Sequence, residues 1–552
     1  MTPAGSGATK GRHGLTSVSR QEDFRLNIRF SDKSIRRVLP WQVLDPSDGG
    51  YGGLRNPNTL RDDQPLTCGM VGLCAQAYCH PDSAYFHSRD LGKRIELMSG
   101  FMAKAQHDDG SIDLAISNIR SAPDTGFAVR PLSKAYELLG QMEQDWARKT
   151  RENLEIFLRK ARTCLARGEV HTPNHRWVVV AAMGEINRFF PSSKLRAASE
   201  RYLSEGIDVN REGMYIYEKS TSTYSWISNR ALIDIARLWR KPRLLDHVRR
   251  NLDFMVYNTH QDGEMVDEYS RRQDRGTHSL LSPLAFECYS TMALMDGNGT
   301  YASMADLAFS LNLARGGSPA GYTSKEHFAR FRALPREPLP TNYNAFFPLS
   351  GLVRIRKGEL EASIMAQNFD NFLTVRNGRS IVDSVKLRYN YWGWWNFNPN
   401  RIVRCGGLYR LTDLFTGRTF RPGPKEVRLR TKFEIAVNVK PLTDGFSMEV
   451  STKGPENVVM QLDLGLRTKG TLLLGGRRYD LSRVKGPILF DRDEALLSNA
   501  GDRILIQGGV VQHKIWDSWR GFNPWERYGK RTVSLLMTPV SPFRGVVRFT
   551  KE

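Results

Sequence analysis

Four polar segments of this 552-residue chain carry side chains whose chemistries complement one another. The first, HTPNHRW, sets an amide, an imidazole and a guanidinium side by side as Asn174, His175 and Arg176, directly ahead of the apolar run VVVAAMGEI. Pro173 behind Thr172 marks a helix start. The Asn-His pair then falls in a first turn, where backbone donors and the positive end of the helix dipole favour an anion. The plain structural alternative is a capping pair that only fixes how the chain enters the helix.

The other three segments, SNIRSAPDTGF, YEKSTSTYSW and SRRQDRGTHSLLSP, add Asn118, Tyr224, Trp226, Arg271, Arg272, Gln273 and His278. Such a set suits elimination across a uronic acid. The carboxylate must be neutralised so that the C5 proton becomes acidic, a base must take that proton, and an acid must protonate the departing glycosidic oxygen. Asn and Arg can hold the carboxylate and the enolate-like charge. His or Tyr can be the base, with Tyr reaching the leaving oxygen. Each residue also has a bland role: Tyr224 as a core phenol, His278 as a helix-cap partner, Arg271 and Arg272 as solvated charges.

The elements that must position these residues are legible from periodicity. Residues 1–60 read as an extended N-terminal segment, rich in Gly, Pro and Asn around DPSDGGYGGLRNPN. Residues 61–315 carry long apolar patterns at helical spacing. Between them an acidic-Gly turn recurs, at Asp109-Gly110, Glu212-Gly213 and Asp262-Gly263, separated by roughly 50 or 100 residues. That recurrence implies stacked helical hairpins of about 50 residues with one degenerate copy. Residues 316–345 read as a linker, and 346–552 as short alternating strands. The fold class is α+β multidomain: an incomplete (α/α) toroid followed by an antiparallel β-sandwich.

An Asn-His pair at a helix start, the segment Glu218-Lys-Ser-Thr-Ser-Thr-Tyr224 about fifty residues on, and a C-terminal sandwich resemble the heparinase II/III and alginate lyase superfamily of polysaccharide lyases. The resemblance implies that Asn174 clamps the uronate carboxylate, His175 is a base or charge neutraliser, and Tyr224 is acid or base. Two departures stand out. Arg176 follows Asn-His where the family commonly has Gly, and the second segment lacks the family's Pro and His. The family's His-rich segment early in the β domain is also missing between residues 346 and 400, leaving His278 or His513 as substitutes.

Net charge of +22 and a pI near 9.8 point to an acidic polysaccharide or oligosaccharide as partner. The charge is dispersed and no nucleic-acid motif is found, so nucleic acid is not expected. No membrane span is long enough to expect a bilayer partner. The sequence leaves the oligomeric state open, a homodimer included. The six cysteines show no C-x-x-C spacing and read as buried free thiols. No cofactor is required by the chemistry, and a structural divalent metal is compatible with the sequence without being indicated by it. The first twenty residues lack an apolar h-region, so the chain reads as cytoplasmic, or as secreted or periplasmic if a signal has been removed.

Trp394 and Trp395, with Trp392, Trp516, Trp519 and Trp525, read mainly as core. Beside Arg388, Arg401, Arg520 and Arg527 they would also make a sugar-stacking wall, and Trp394 and Trp395 are taken as substrate-binding. The rival reading is a glucuronidase-like glycoside hydrolase on the same scaffold, using Asp109, Asp113, Asp124, Glu218, Asp262, Asp267 or Glu268 as acid and base. A non-catalytic carbohydrate-binding protein is the third.

Overall fold

The computed structural model describes residues 20–167, 170, 172–368, 371–391, 393–421, 427–514 and 532–552. The chain divides into two compact units: Met1–Val209, Gly213–Met265 and Thr277–Leu339 form one, and Asn210–Glu212, Val266–Gly276 and Pro340–Glu552 the other.

The first unit is helical. After α1 (Arg20–Val38) come five hairpins: α2 (Gln64–Cys79) with α3 (Arg89–Ala105), α4 (Ala122–Leu138) with α5 (Asp145–Arg167), α6 (Pro173–Phe189) with α7 (Ser193–Ser204), α8 (Tyr224–Leu238) with α9 (Leu245–Tyr257), and α10 (Pro283–Asp296) with α11 (Gly299–Ala314); α12 (Lys325–Ala333) follows. Contacts run α2–α4–α6–α8–α10 along an inner layer and α3–α5–α7 along an outer one, each inner helix packing on the helix that follows it. Sequence sorts the layers. The inner α2 and α10 are apolar almost all round, as a helix covered on both sides requires. The outer α5 is one-sided, burying Leu154, Phe157, Leu158 and Leu165 while its Arg and Lys residues face outward.

The recurrent glycines have a common cause. Gly110 (φ +86°) and Gly213 (φ +100°) approach so closely that a Cβ would stand 2.0 Å from the Lys160 carbonyl on α5 and the Arg250 carbonyl on α9. Gly52 (φ +90°) meets the Leu97 carbonyl on α3 in the same way. Each turn is thus pressed against the outer helix of the next hairpin, which only Gly permits. The copy expected after α5 would contain Gly168, outside the described residues.

Two elements differ from the sequence reading. Residues 20–38 are helical, not extended, because Phe24, Ile28, Ile35 and Val38 present a buried stripe. The expected linker holds α12, anchored by buried Phe328 and Phe331. The two additions tie the ring together. Asn27 of α1 donates to the Gly321 carbonyl (2.8 Å) and accepts from Ser318 (2.9 Å), while Asp32 accepts from Tyr322 (2.8 Å) and from Ser83 beyond α2 (2.6 Å).

The second unit contains two nine-stranded sheets. One runs 488–489, 532–537, 459–467, 380–390, 371–377, 360–365, 352–357, 342–347, with 394–396 on 380–390; the other runs 402–405, 408–421, 427–441, 445–453, 544–551, 502–507, 494–499, 471–474, 477–480. Pairing is antiparallel except between 488–489 and 532–537. Side chains such as Val353, Val385 and Leu387 from one sheet and Leu411, Val437 and Val450 from the other share one core. The first strand begins at Asn342, slightly ahead of the expected boundary. Segment 266–276 is stitched into this unit by Arg275, which donates to the Asn368 carbonyl (3.1 Å). No described helix is long and apolar enough to cross a membrane.

The turn geometry makes an ordered prediction. Gly213→Ala combines a left-handed backbone with a backbone clash and should cost at least about 2 kcal/mol. Gly206→Ala, at φ +81° with open space around it, should cost about 1 kcal/mol. Urea unfolding curves that rank the two the other way would contradict this packing.

Candidate active site

Inner helices α6 and α8 run side by side in the same direction. Gly184 on α6 lies against Leu238 and Trp239, the Trp239 indole donates to the Val180 carbonyl (3.1 Å), and Glu185 pairs with Arg237 (2.8 Å). Glu185 is 11 residues beyond Asn174 and Arg237 is 13 beyond Tyr224, so the two helix starts are level to within about 3 Å along the axes. With packed helices about 8–10 Å apart, the two first turns are neighbours at one end of the inner layer.

The two starts share a second property. Asp63, Ser121 and Ser282 cap α2, α4 and α10 through their side chains, but Thr172 before α6 and Thr223 before α8 make no such bond. Thr172 and Thr223 therefore leave first-turn donors to other partners. In the first turn of α6, Asn174 has no accessible surface, and among the described residues neither its Oδ1 nor its Nδ2 has a hydrogen-bond partner. Leaving a buried amide unpaired costs roughly 1–3 kcal/mol. Such a cost is expected at a group kept ready for a ligand. Next to it the His175 ring meets Phe127 of α4 edge-on at 6.2 Å.

Tyr224 opens α8, half-buried, its backbone N–H donating to Ser220 Oγ (2.9 Å). The preceding Glu218–Ser222 stretch is buried, with Lys219 in the left-handed region at φ +49°. One inner helix further, in the loop leading to α10, His278 also has positive φ (+55°) and places Nδ1 3.0 Å from Glu264 Oε1. A carboxylate on one ring nitrogen orients an imidazole and fixes its tautomer. Asn118, on the strand leading to α4, donates to Asp124 (3.1 Å) and is exposed. Asn118, Asn174, His175, Tyr224 and His278 thus lie at the starts of successive inner helices.

Other expected contacts are placed elsewhere. Trp226 has no accessible surface and packs on Tyr289 at 5.6 Å, so it serves the core and not a ligand. Arg176 pairs with Glu205 and lies over the Trp177 ring. Arg271, Arg272 and Gln273 fall in segment 266–276 and group with the sheets. Trp394 is half-buried and Trp395 is 47% exposed, its indole bonded to the Tyr391 carbonyl (3.0 Å) and its ring against Phe415. His513 contacts the Met460 carbonyl (2.8 Å), and burial pushes its pKa down. Trp392, Trp516, Trp519, Trp525, Arg520 and Arg527 lie outside the described residues.

The acidic side chains considered for hydrolysis are occupied locally. Asp109 accepts from the backbone and hydroxyl of Ser111, whose hydroxyl above all holds the carboxyl down at about 2, too low for a proton donor near neutrality. Asp262 accepts the Glu264 N–H, Asp113 accepts the Arg120 N–H and faces His107, and Asp124 accepts from Ser121 and Asn118. Glu218, Asp267 and Glu268 are buried. Among the described residues no cluster of three or more His, Cys, Asp or Glu side chains could hold a metal ion.

Sequence reading missed the charged lining of the inner layer. Arg130 of α4 pairs with Asp234 of α8 (3.0 Å) and Glu287 of α10, and Arg188 of α6 with Glu137 of α4 (2.8 Å). Its signal was available: single charges inside otherwise apolar runs such as ISNRALIDIA.

No protein-family model and no curated protein matches the chain. Solved structures do. A Paenibacillus xanthan lyase is similar at TM-score 0.60 and 10% identity over 98% of this chain, which spans 56% of that protein. The Streptomyces coelicolor A3 chondroitin AC lyase, solved in complex with chondroitin sulphate, gives 0.59 and 11% over 98% of this chain and 80% of its own. Heparinase III gives 0.59 and 11% over 99% and 88%. The chain has the fold of these polysaccharide lyases, an α/α toroid with a β-sandwich.

If Asn174 is held unpaired for a ligand, Asn174→Leu should leave the melting temperature unchanged or higher, since an apolar side chain of similar size removes an unsatisfied amide. A fall of the size caused by breaking a buried hydrogen bond, about 1 kcal/mol or more, would show that Asn174 is bonded within the chain.

Proposed function

We propose that the chain is a polysaccharide lyase that cleaves a uronic-acid-containing polysaccharide or oligosaccharide by β-elimination. The observation that carries this reading is the buried Asn174 amide, without a hydrogen-bond partner among the described residues, in a first turn that lacks a side-chain cap, level with Tyr224 on the neighbouring helix.

In the scheme, Asn174 and the first-turn donors of α6 take the uronate carboxylate, whose charge would otherwise oppose removal of the C5 proton. His175 or Tyr224 withdraws that proton. Electrons move from the C5–H bond into a C4–C5 double bond as the C4–O bond breaks, and Tyr224 returns a proton to the leaving oxygen. His278, oriented by Glu264, is the second base available on the same rim. Asn118, on the strand leading to α4, supplies a further polar contact to the sugar chain. Every step uses side chains and backbone N–H groups of the chain, without a cofactor.

Net charge of +22 favours an acidic polymer and speeds its capture at low ionic strength. The solved relatives named for xanthan, chondroitin and heparin-type chains define the class to screen. Hydrolysis by paired carboxylates is disfavoured by Asp109, Asp113, Asp124 and Asp262 already being committed to turns and caps.

Elimination creates a 4,5-unsaturated uronate that absorbs in the near ultraviolet. On an active uronic-acid polymer, Tyr224→Phe should reduce kcat by about 100-fold or more, the scale of losing general acid–base catalysis, with an unchanged circular dichroism spectrum. Asn174→Leu should lose activity while keeping its stability. A Tyr224→Phe protein that turns over normally would remove Tyr224 from the mechanism.

A further inference from the structure

In the helical unit, inner helices α2, α4, α6, α8 and α10 and segment 318–327 line an open cavity of about 1070 Å³. It is at the upper end of small-molecule site volumes. Phe127 belongs to its wall and also meets His175, so the cavity lies under the rim that carries the proposed catalytic groups.

The charges on the wall do not cancel. Arg130, Lys134, Arg188, Arg230 and Arg237 face Glu137, Glu185, Asp234 and Glu287. Four of the five cations have carboxylate partners: Arg130 with Asp234 and Glu287, Lys134 with Glu137, Arg188 with Glu137 and Glu185, Arg237 with Glu185 and Asp234. Arg230 makes no ion pair or hydrogen bond with any described residue. Its pKa is pushed down, first by burial and then by the Arg130 guanidinium, whereas the carboxylates around Arg130 raise that residue's own pKa despite burial. Asp234 and Glu287 also act on half-buried Arg230, but both are already paired with Arg130, so the wall keeps an excess positive charge that an anion beside Arg230 relieves. Around it the wall offers the apolar faces of Phe127 and Phe286 and the polar groups of Gln76, Ser290 and Thr291. Apolar faces with a few hydrogen-bonding groups are what a sugar ring needs.

We propose that this cavity is a second binding site, separate from the catalytic rim, in which Arg230 takes the carboxylate of a small acidic sugar. The site stands on the cavity and its charge balance and does not depend on the elimination reading. A mono- or disaccharide fits the volume, so the occupant proposed is of product size.

Calorimetric titration at constant ionic strength tests it with glucuronate, glucose and sodium sulfate as probes. Saturable binding of glucuronate, none of glucose, at least tenfold weaker binding in Arg230→Gln and less than threefold change in Arg188→Gln is the expected pattern. Absence of saturable glucuronate binding, or equal binding by wild type and Arg230→Gln, overturns the site. Sulfate binding as tightly as glucuronate overturns the sugar assignment. Should Arg230→Gln fail to fold, peptide mapping of phenylglyoxal modification in the wild type decides: glucuronate must slow modification of Arg230, and equal rates with and without it reject the proposal.

Discussion

The close crossing of α6 and α8 is the constraint on which the candidate site depends. Gly184 lets α6 come within van der Waals range of Leu238 and Trp239, a distance a Cβ would violate at 2.9 Å from the indole nitrogen. Trp239 then locks onto the Val180 carbonyl, and Glu185, itself buried, selects Arg237. Arg237 is half exposed, so this pair adds little stability. Its contribution is register: with the C-terminal halves fixed, Asn174 and Tyr224 begin their helices at one level. A slip of one turn would separate them by about 5 Å and dismantle the site.

The same architecture explains why cost is concentrated at the rim. The acidic-Gly turns that lead into the inner helices satisfy themselves: Asp109 and Asp262 accept N–H groups two residues on, and the turn glycines seat against outer helices. At the helix starts themselves the opposite holds. Asn174 is buried and has no hydrogen-bond partner among the described residues, Lys219 and His278 adopt left-handed backbone, and the α6 and α8 starts lack a side-chain cap. Strain and unsatisfied polar groups of this kind persist where the surrounding fold over-determines them, and they cluster at sites that bind ligands.

Much of this was legible from sequence because it rests on periodicity and punctuation. Pro173 announced the start of α6 and so placed Asn174 and His175 correctly in its first turn. The Gly110, Gly213 and Gly263 turns revealed the hairpin repeat. What failed was direction around a helix. Residues two apart point to nearly opposite faces, so Trp226, two beyond Tyr224, turns into the core, and Arg176, two beyond Asn174, turns to Glu205. Helix α1 was hidden because the Gly- and Pro-rich stretch after residue 44 dominated the reading of the segment, although Phe24, Ile28 and Ile35 carried helical spacing. The Glu264–His278 pair and the ion pairs of Arg130 join residues far apart in sequence, and no local pattern announces them.

The central claim is that the glycosidic bond breaks without water. Cleavage of a uronic-acid polymer in ¹⁸O-labelled water, followed by mass spectrometry of the fragments, tests it most directly. Elimination predicts unlabelled fragments, with the new non-reducing end one water lighter than the saturated sugar. Fragments of saturated mass at the new non-reducing end, with the label at the new reducing end, would show hydrolysis and contradict the account.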